Sequence, residues 1–132
     1  ELIHAVQVSK ETLDLVKEGF WEVVNKPGGT AYNRARIDGL NVSGKTGTAQ
    51  VIRQTVADKE KKCPEVDYKF RDHALFAAYA PREQPEIAVG VIVEHGCHGS
   101  VTAAPIAKAV IEAYFYKKKI LQEKTKKEVP KK

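Results

Sequence analysis

No stretch of the 132 residues approaches the ~20 consecutive apolar residues that a membrane-spanning helix needs, and the N-terminus lacks the pattern of a secretory signal. The sequence is therefore expected to behave as a soluble chain, with any anchor of a longer gene product lying upstream. Cysteine is scarce. Cys63 and Cys97 fit neither a zinc pair nor a redox spacing, and the sequence leaves open whether they bond to each other. His95-x-Cys97-His98, with His73 and Cys63, offers metal donors but no separated ligand pairs, so no metal and no cofactor is expected. Net positive charge is confined to one segment. Residues 117–132 carry eight lysines and two glutamates, so the +5 of the chain sits there and the body nets −1. That leaves no basic face, which excludes a nucleic-acid footprint.

What is present is ordinary for a globular domain: 42% hydrophobic and 30% charged residues, in a length that fits one domain. The densest chemistry lies in Ser43-Gly44-Lys45-Thr46-Gly47-Thr48-Ala49-Gln50. One cation, clustered hydroxyls and bare backbone suit the grip on a substrate anion. Gly39, Gly44, Lys45 and Thr46 satisfy the phosphate-loop pattern G-x-x-x-x-G-K-[ST]. That loop needs a strand before it and a helix after it. Only Ile37 precedes Asp38-Gly39, and the residues after Lys45 are glycine and β-branched, which favours strand. The helix N-terminus that would hold phosphate is missing, so the match is accidental.

Taken in order, residues 1–8 read as extended. Ser9 is an N-cap for a helix through about Val24, with Leu13, Val16, Phe20 and Val24 as its apolar stripe and Trp21 beside it as core. Pro27-Gly28-Gly29 breaks that helix, and residues 30–36 suit a turn of helix. A turn at Asp38-Gly39 leads to a strand at about 41–54. Residues 55–71, with the charge run 58–62, read as a long mobile connection. His73–Ala80 is a second strand. Glu86–Glu94 is apolar enough to predict a strand buried on both faces. A last helix is expected from about Thr102 to Lys119, with Ala103, Ala107, Val110, Ile111 and Tyr114 buried. The fold class is then α+β: a three-stranded antiparallel meander with flanking N- and C-terminal helices. Residues 1–119 form the domain, and 120–132 a Lys-rich disordered tail.

From Pro27 to about Tyr116 the chain resembles the C-terminal part of a class B penicillin-binding protein transpeptidase domain, most of all the penicillin-binding protein 2 group of the rod-elongation system. The resemblance is carried by Gly28-Gly29-Thr30-Ala31, Ser43 through Val51, Arg71-Asp72-His73, Phe76 through Pro81, and Ala103-Ala104-Pro105-Ile106-Ala107. Lys-Thr-Gly is one of three signatures of such enzymes. The resemblance implies a β-lactamase/transpeptidase-like fold and a serine D,D-transpeptidase that cross-links peptidoglycan stem peptides and is trapped by β-lactams. It also implies partners among the elongation-machinery membrane proteins, and a place at the periplasmic face of the bacterial inner membrane. By position, Lys45 would assist proton transfer, Thr46 and Thr48 would bind the substrate carboxylate beside Gly47, and the Thr48 N–H would form half of the oxyanion hole. Period 2 puts Lys45 and Gly47 on one face of a strand and Thr46 and Thr48 on the other, so both sets serve one site only if the strand rims a cleft.

Two signatures are missing. No serine or threonine is followed by lysine three residues on, and no Ser-x-Asn or Tyr-x-Asn occurs. The chain therefore reads as an excised part of a transpeptidase, inactive alone. Its alternative is a non-catalytic, penicillin-binding-like interaction module. An incomplete sheet predicts self-association or strand exchange.

Overall fold

The computed structural model describes residues 7–52 and 61–128, with backbone alone beyond Lys119. Helix α1 runs Lys10–Asn25, and the Ser9 side chain accepts the Thr12 N–H at 3.2 Å as its cap. A four-residue helix, α2, covers Tyr32–Ala35. Strands β1 (Ser43–Ala49), β2 (His73–Ala80) and β3 (Ile87–Val93) form one antiparallel sheet in the order β1-β2-β3. Helix α3 spans Ala103–Glu128. The α+β meander with flanking helices is thus the observed architecture.

Strand register fixes two faces. Thr46 lies opposite Phe76, and Phe76 opposite Val91; Lys45 lies opposite Ala77, and Ala77 opposite Gly90. The inner face carries Ala74, Phe76, Ala78 and Ala80, all buried in one cluster with Ala103, Ala104, Ala107 and Ile111 of α3 and Val24 of α1. These small side chains bring α3 close to the sheet. Gly44 makes room for the one large residue, since a Cβ there would stand 2.7 Å from Phe76 Cζ.

Several expectations are corrected. β3 is not buried on both faces: exposure alternates along it, and Ile92 is 68% exposed. The helices lie on the inner face, leaving Lys45, Ala77, Ala88, Gly90 and Ile92 of the outer face exposed. β1 is shorter than 41–54, with Val51 and Ile52 already in a bend. The stripe of α1 is buried only at Val24; its last two turns bond the segment just before β1, through Asn25 Nδ2 to Val42 O (2.7 Å) and Trp21 Nε1 to Asn41 Oδ1 (3.3 Å). In α3 the buried line is Ala103–Ala107–Ile111 with Phe115, while Val110 and Tyr114 are exposed. α3 also continues past Lys119 to Glu128, so the expected domain boundary falls within a helix. Lys, Glu, Gln and Leu after Tyr116 are good helix formers, and no glycine or proline interrupts them before Pro130. The extended reading of residues 1–6, the connection at 53–60 and the tail at 129–132 lie outside the described residues. Residues 61–71 hold two 3-10 turns, Cys63–Glu65 and Tyr68–Phe70.

Cys63 and Cys97 form a disulfide, with Cα atoms 6.0 Å apart. It joins this loop to the turn after β3. That turn holds two non-glycine residues in the left-handed region, His95 (φ 55°) and Cys97 (φ 69°), a conformation that persists only when neighbours enforce it. The enforcing contacts are the disulfide, the Cys97 N–H to Asp72 O at 2.9 Å, and the His95 N–H to His73 Nδ1 at 2.9 Å. The last bond requires Nδ1 of His73 to be an acceptor, so its ring proton sits on Nε2.

Candidate active site

The sequence-nominated residues all lie on β1. Lys45 is exposed on the outer face, and its Nζ donates to Thr46 O at 2.9 Å. Thr46 is half-buried and Thr48 exposed, both in inner-face register. Among the described residues β1 pairs only with β2, so it is an edge strand. The rim geometry needed for Lys45 and the two threonines to converge is therefore available, since side chains from both faces border the unpaired edge. An unpaired edge also presents backbone groups that an extended peptide can bind by strand addition.

The phosphate-loop pattern has no structural counterpart. Gly44-Lys45-Thr46 lies within β1, and strand rather than helix continues from Thr46 through Ala49. The two thiolates of the zinc reading are consumed by the disulfide. Among the described residues no three or more His, Cys, Asp or Glu side chains are grouped to hold a metal.

Gly47 is enclosed from two sides. Its own Cβ would lie 3.2 Å from Leu75 Cβ, and Gly99 presses on its backbone. A Cβ on Gly99 would meet Leu75 O at 2.1 Å, Gly47 O at 2.7 Å and Gly47 N at 3.2 Å. The turn after β3 is thus the backing of the Lys-Thr-Gly strand, and the disulfide and the His73–His95 bond hold that backing. Sequence reading missed Gly99; its only signal was one more glycine in a glycine-containing turn. It also missed Thr30 as part of the site. The Thr30 and Thr46 hydroxyl oxygens lie 3.4 Å apart, although Thr30 belongs to the turn between α1 and α2.

A shallow groove of about 460 Å³ runs beside Lys45 and Gly47 over Leu75, Gly90 and Ile92. A larger cavity, about 630 Å³, flanks the disulfide at Phe70, Arg71, His98 and Val101. Volume does not mark the chemistry here: Lys45 and Thr46 border the smaller groove. What they can do is hold a carboxylate, by charge and by hydroxyl donors, along an open strand edge.

A family model described as the penicillin binding protein transpeptidase domain matches residues 1–112. The peptidoglycan D,D-transpeptidase MrdA of Haemophilus influenzae is 37% identical over 103 residues, covering 77% of this chain and 16% of that protein. MrdA of Escherichia coli K12 is 35% identical over 86 residues, 65% of this chain and 13% of that protein. The chain therefore spans only 13–16% of the length of these relatives. Among solved structures, Pseudomonas aeruginosa PBP2 in complex with WCK 5153 superposes with a TM-score of 0.65 at 36% identity, covering 83% of this chain and 21% of that one. Helicobacter pylori PBP2, in its complex with MreC, gives 0.65 at 31% identity over 85% of this chain and 19% of that one.

Proposed function

Starting from a chain that belongs to the penicillin-binding protein transpeptidase domain family, we propose that it is the Lys-Thr-Gly segment of a peptidoglycan D,D-transpeptidase. The observation that supports this is that Lys45, Thr46, Gly47 and Thr48 follow one another on β1, a strand that pairs on one side only among the described residues. In the proposed reaction a serine outside this chain attacks the carbonyl of a D-Ala–D-Ala bond. The terminal D-Ala leaves, and an amine of a second stem peptide takes the acyl group. Lys45 supports proton transfer and the local positive field. Thr46 and Thr48 bind the terminal carboxylate, Gly47 lets the peptide backbone approach, and the Thr48 N–H stabilises the oxyanion. The chemistry needs no metal or cofactor. β-Lactams enter the same site as donor mimics.

The proposed setting is the periplasmic face of the inner membrane, with an anchor supplied elsewhere in the longer protein. A disulfide suits that oxidising compartment. Elongation-machinery membrane proteins are the proposed partners, on the precedent of the Helicobacter pylori PBP2–MreC complex.

The test is intact mass of the full-length gene product after benzylpenicillin, beside a Lys45→Ala variant. A covalent adduct that forms about a hundredfold or more slower in the variant is expected. A folded full-length protein that gains no adduct overturns the enzymatic reading in favour of an interaction module. The 132-residue chain alone, lacking the nucleophile, is expected to gain none.

A further inference from the structure

Thr30 reaches β1 from a different element, and its backbone is fixed on every side. Gly28, before it, sits in the left-handed region (φ 89°). Gly29 is wedged against the end of α1, where a Cβ would lie 2.4 Å from Glu22 O and 2.5 Å from Val23 O. Ala31, after it, is fully buried and donates its N–H to Val23 O at 3.0 Å. The turn between α1 and α2 is thus a rigid bracket, and the hydroxyl it holds out is 3.4 Å from Thr46 Oγ1.

A hydroxyl has one proton and two lone pairs, and the proton turns to suit its surroundings. To bind a carboxylate, Thr46 must point that proton at the cleft. With Thr46 O the acceptor of Lys45 Nζ, its backbone carbonyl is already engaged. We propose that Thr30 is a positioning residue: its hydroxyl donates to Thr46 Oγ1 and thereby turns the Thr46 proton toward the substrate carboxylate. This rests on the carboxylate-binding reading of Thr46. The separation exceeds the usual O–H···O distance, as is common for site hydrogen bonds before a ligand draws them tight. Polarisation along the pair then strengthens the outer bond. The role also accounts for Gly28-Gly29-Thr30-Ala31, a motif that the proposed reaction otherwise leaves unused.

The experiment is a double-mutant cycle in the full-length gene product, read as the second-order rate of acylation by benzylpenicillin with binding and chemistry separated. Thr30 is exposed, so valine fits in place of threonine, and Thr30→Ala serves if valine disturbs the unfolding midpoint. Thr30→Val is expected to slow acylation about fivefold through weaker binding, the scale of one hydrogen bond. Thr30→Ser is expected to stay within about twofold of native, and Thr30→Val to add less than about twofold on top of Thr46→Val. Native-rate acylation by Thr30→Val, or its full effect persisting beside Thr46→Val, overturns the inference alone. Native-rate acylation by Thr46→Val overturns the carboxylate reading beneath it, and the inference falls with it.

Discussion

Replacing Gly99 by alanine adds one methyl group where none fits. The new Cβ would stand 2.1 Å from Leu75 O and 2.7 Å from Gly47 O, both backbone atoms that no side-chain rotation can move. Relief requires residue 99 to retreat by roughly 1.3 Å or more to reach an ordinary contact. Retreat is opposed from the other side, because Gly99 O accepts the N–H groups of Ala103 (3.1 Å) and Ala104 (2.8 Å) that begin α3. The substitution therefore either bends the β1–β2 ladder or unseats the start of α3. Overpacking of this kind costs about 1–3 kcal/mol, and backbone-on-backbone contact places it near the upper end. The loss of unfolded-state freedom on going from glycine to alanine offsets about 0.4–1 kcal/mol. A net destabilisation of about 2 kcal/mol is expected, which lowers a urea midpoint by about 1 M at a typical slope. Gly99 has no positive φ, so the effect is purely one of space. Gly90→Ala isolates that point: it has an ordinary φ, sits on the same sheet and has nothing within 4 Å of its new Cβ. It is expected to hold or raise the midpoint. Urea unfolding followed by far-UV circular dichroism measures both. A Gly99→Ala midpoint no lower than that of Gly90→Ala would sink the claim that the turn after β3 backs the strand.

Other perturbations follow from the same structure. Cys97→Ser opens a loop of sequence separation 34, which chain-entropy reasoning values at about 3.8 kcal/mol, so a thermal scan should show a large drop that reducing agent reproduces in the native chain but not in the variant. Ser43→Ala removes a buried hydroxyl that has no hydrogen-bond partner among the described residues, and is expected to raise stability by about 1 kcal/mol; a loss of similar size in urea melts would reveal a partner for that group. Ser9→Ala deletes the α1 cap and should cost about 1 kcal/mol by the same assay. The exposed outer face and the unpaired edges predict concentration-dependent self-association in sedimentation runs, weakened by Ile92→Lys; a monomer at all concentrations would count against it.

The elements were largely legible because each carries its own local signal. Ser9 announces a helix start, His73–Ala80 is rich in alanine and aromatics, and the run before Glu94 is unmistakably strand. Facing was less legible. Ile87–Val93 is apolar at every position, so its composition reads as two buried faces, although the helices here occupy one. Length of α3 was missed because lysine-rich segments look the same whether helical or not until a breaker occurs. At the site, Lys45 through Thr48 stand together in sequence and were found together. Thr30 and Gly99 reach the same strand from 15 residues before Lys45 and 52 after Gly47, and only the register of the sheet and the path of two turns bring them there. The disulfide is of the same kind: two cysteines are visible in the sequence, but their 6.0 Å approach is a property of the fold.

That covalent link divides the molecule unequally. Residues 63–97 become a closed ring containing all of β2 and β3, while α1 and β1 hang from it through the segment after Ala49. Two copies of this chain can trade a strand of the sheet only by exchanging β1; no strand of the ring can leave without its neighbour while the sulfurs stay joined. The strand bearing Lys45, Thr46 and Thr48 is thus the one member of the sheet that topology leaves interchangeable. A mixture of intact and Lys45→Ala chains that forms swapped dimers would carry each β1 on the other copy's ring.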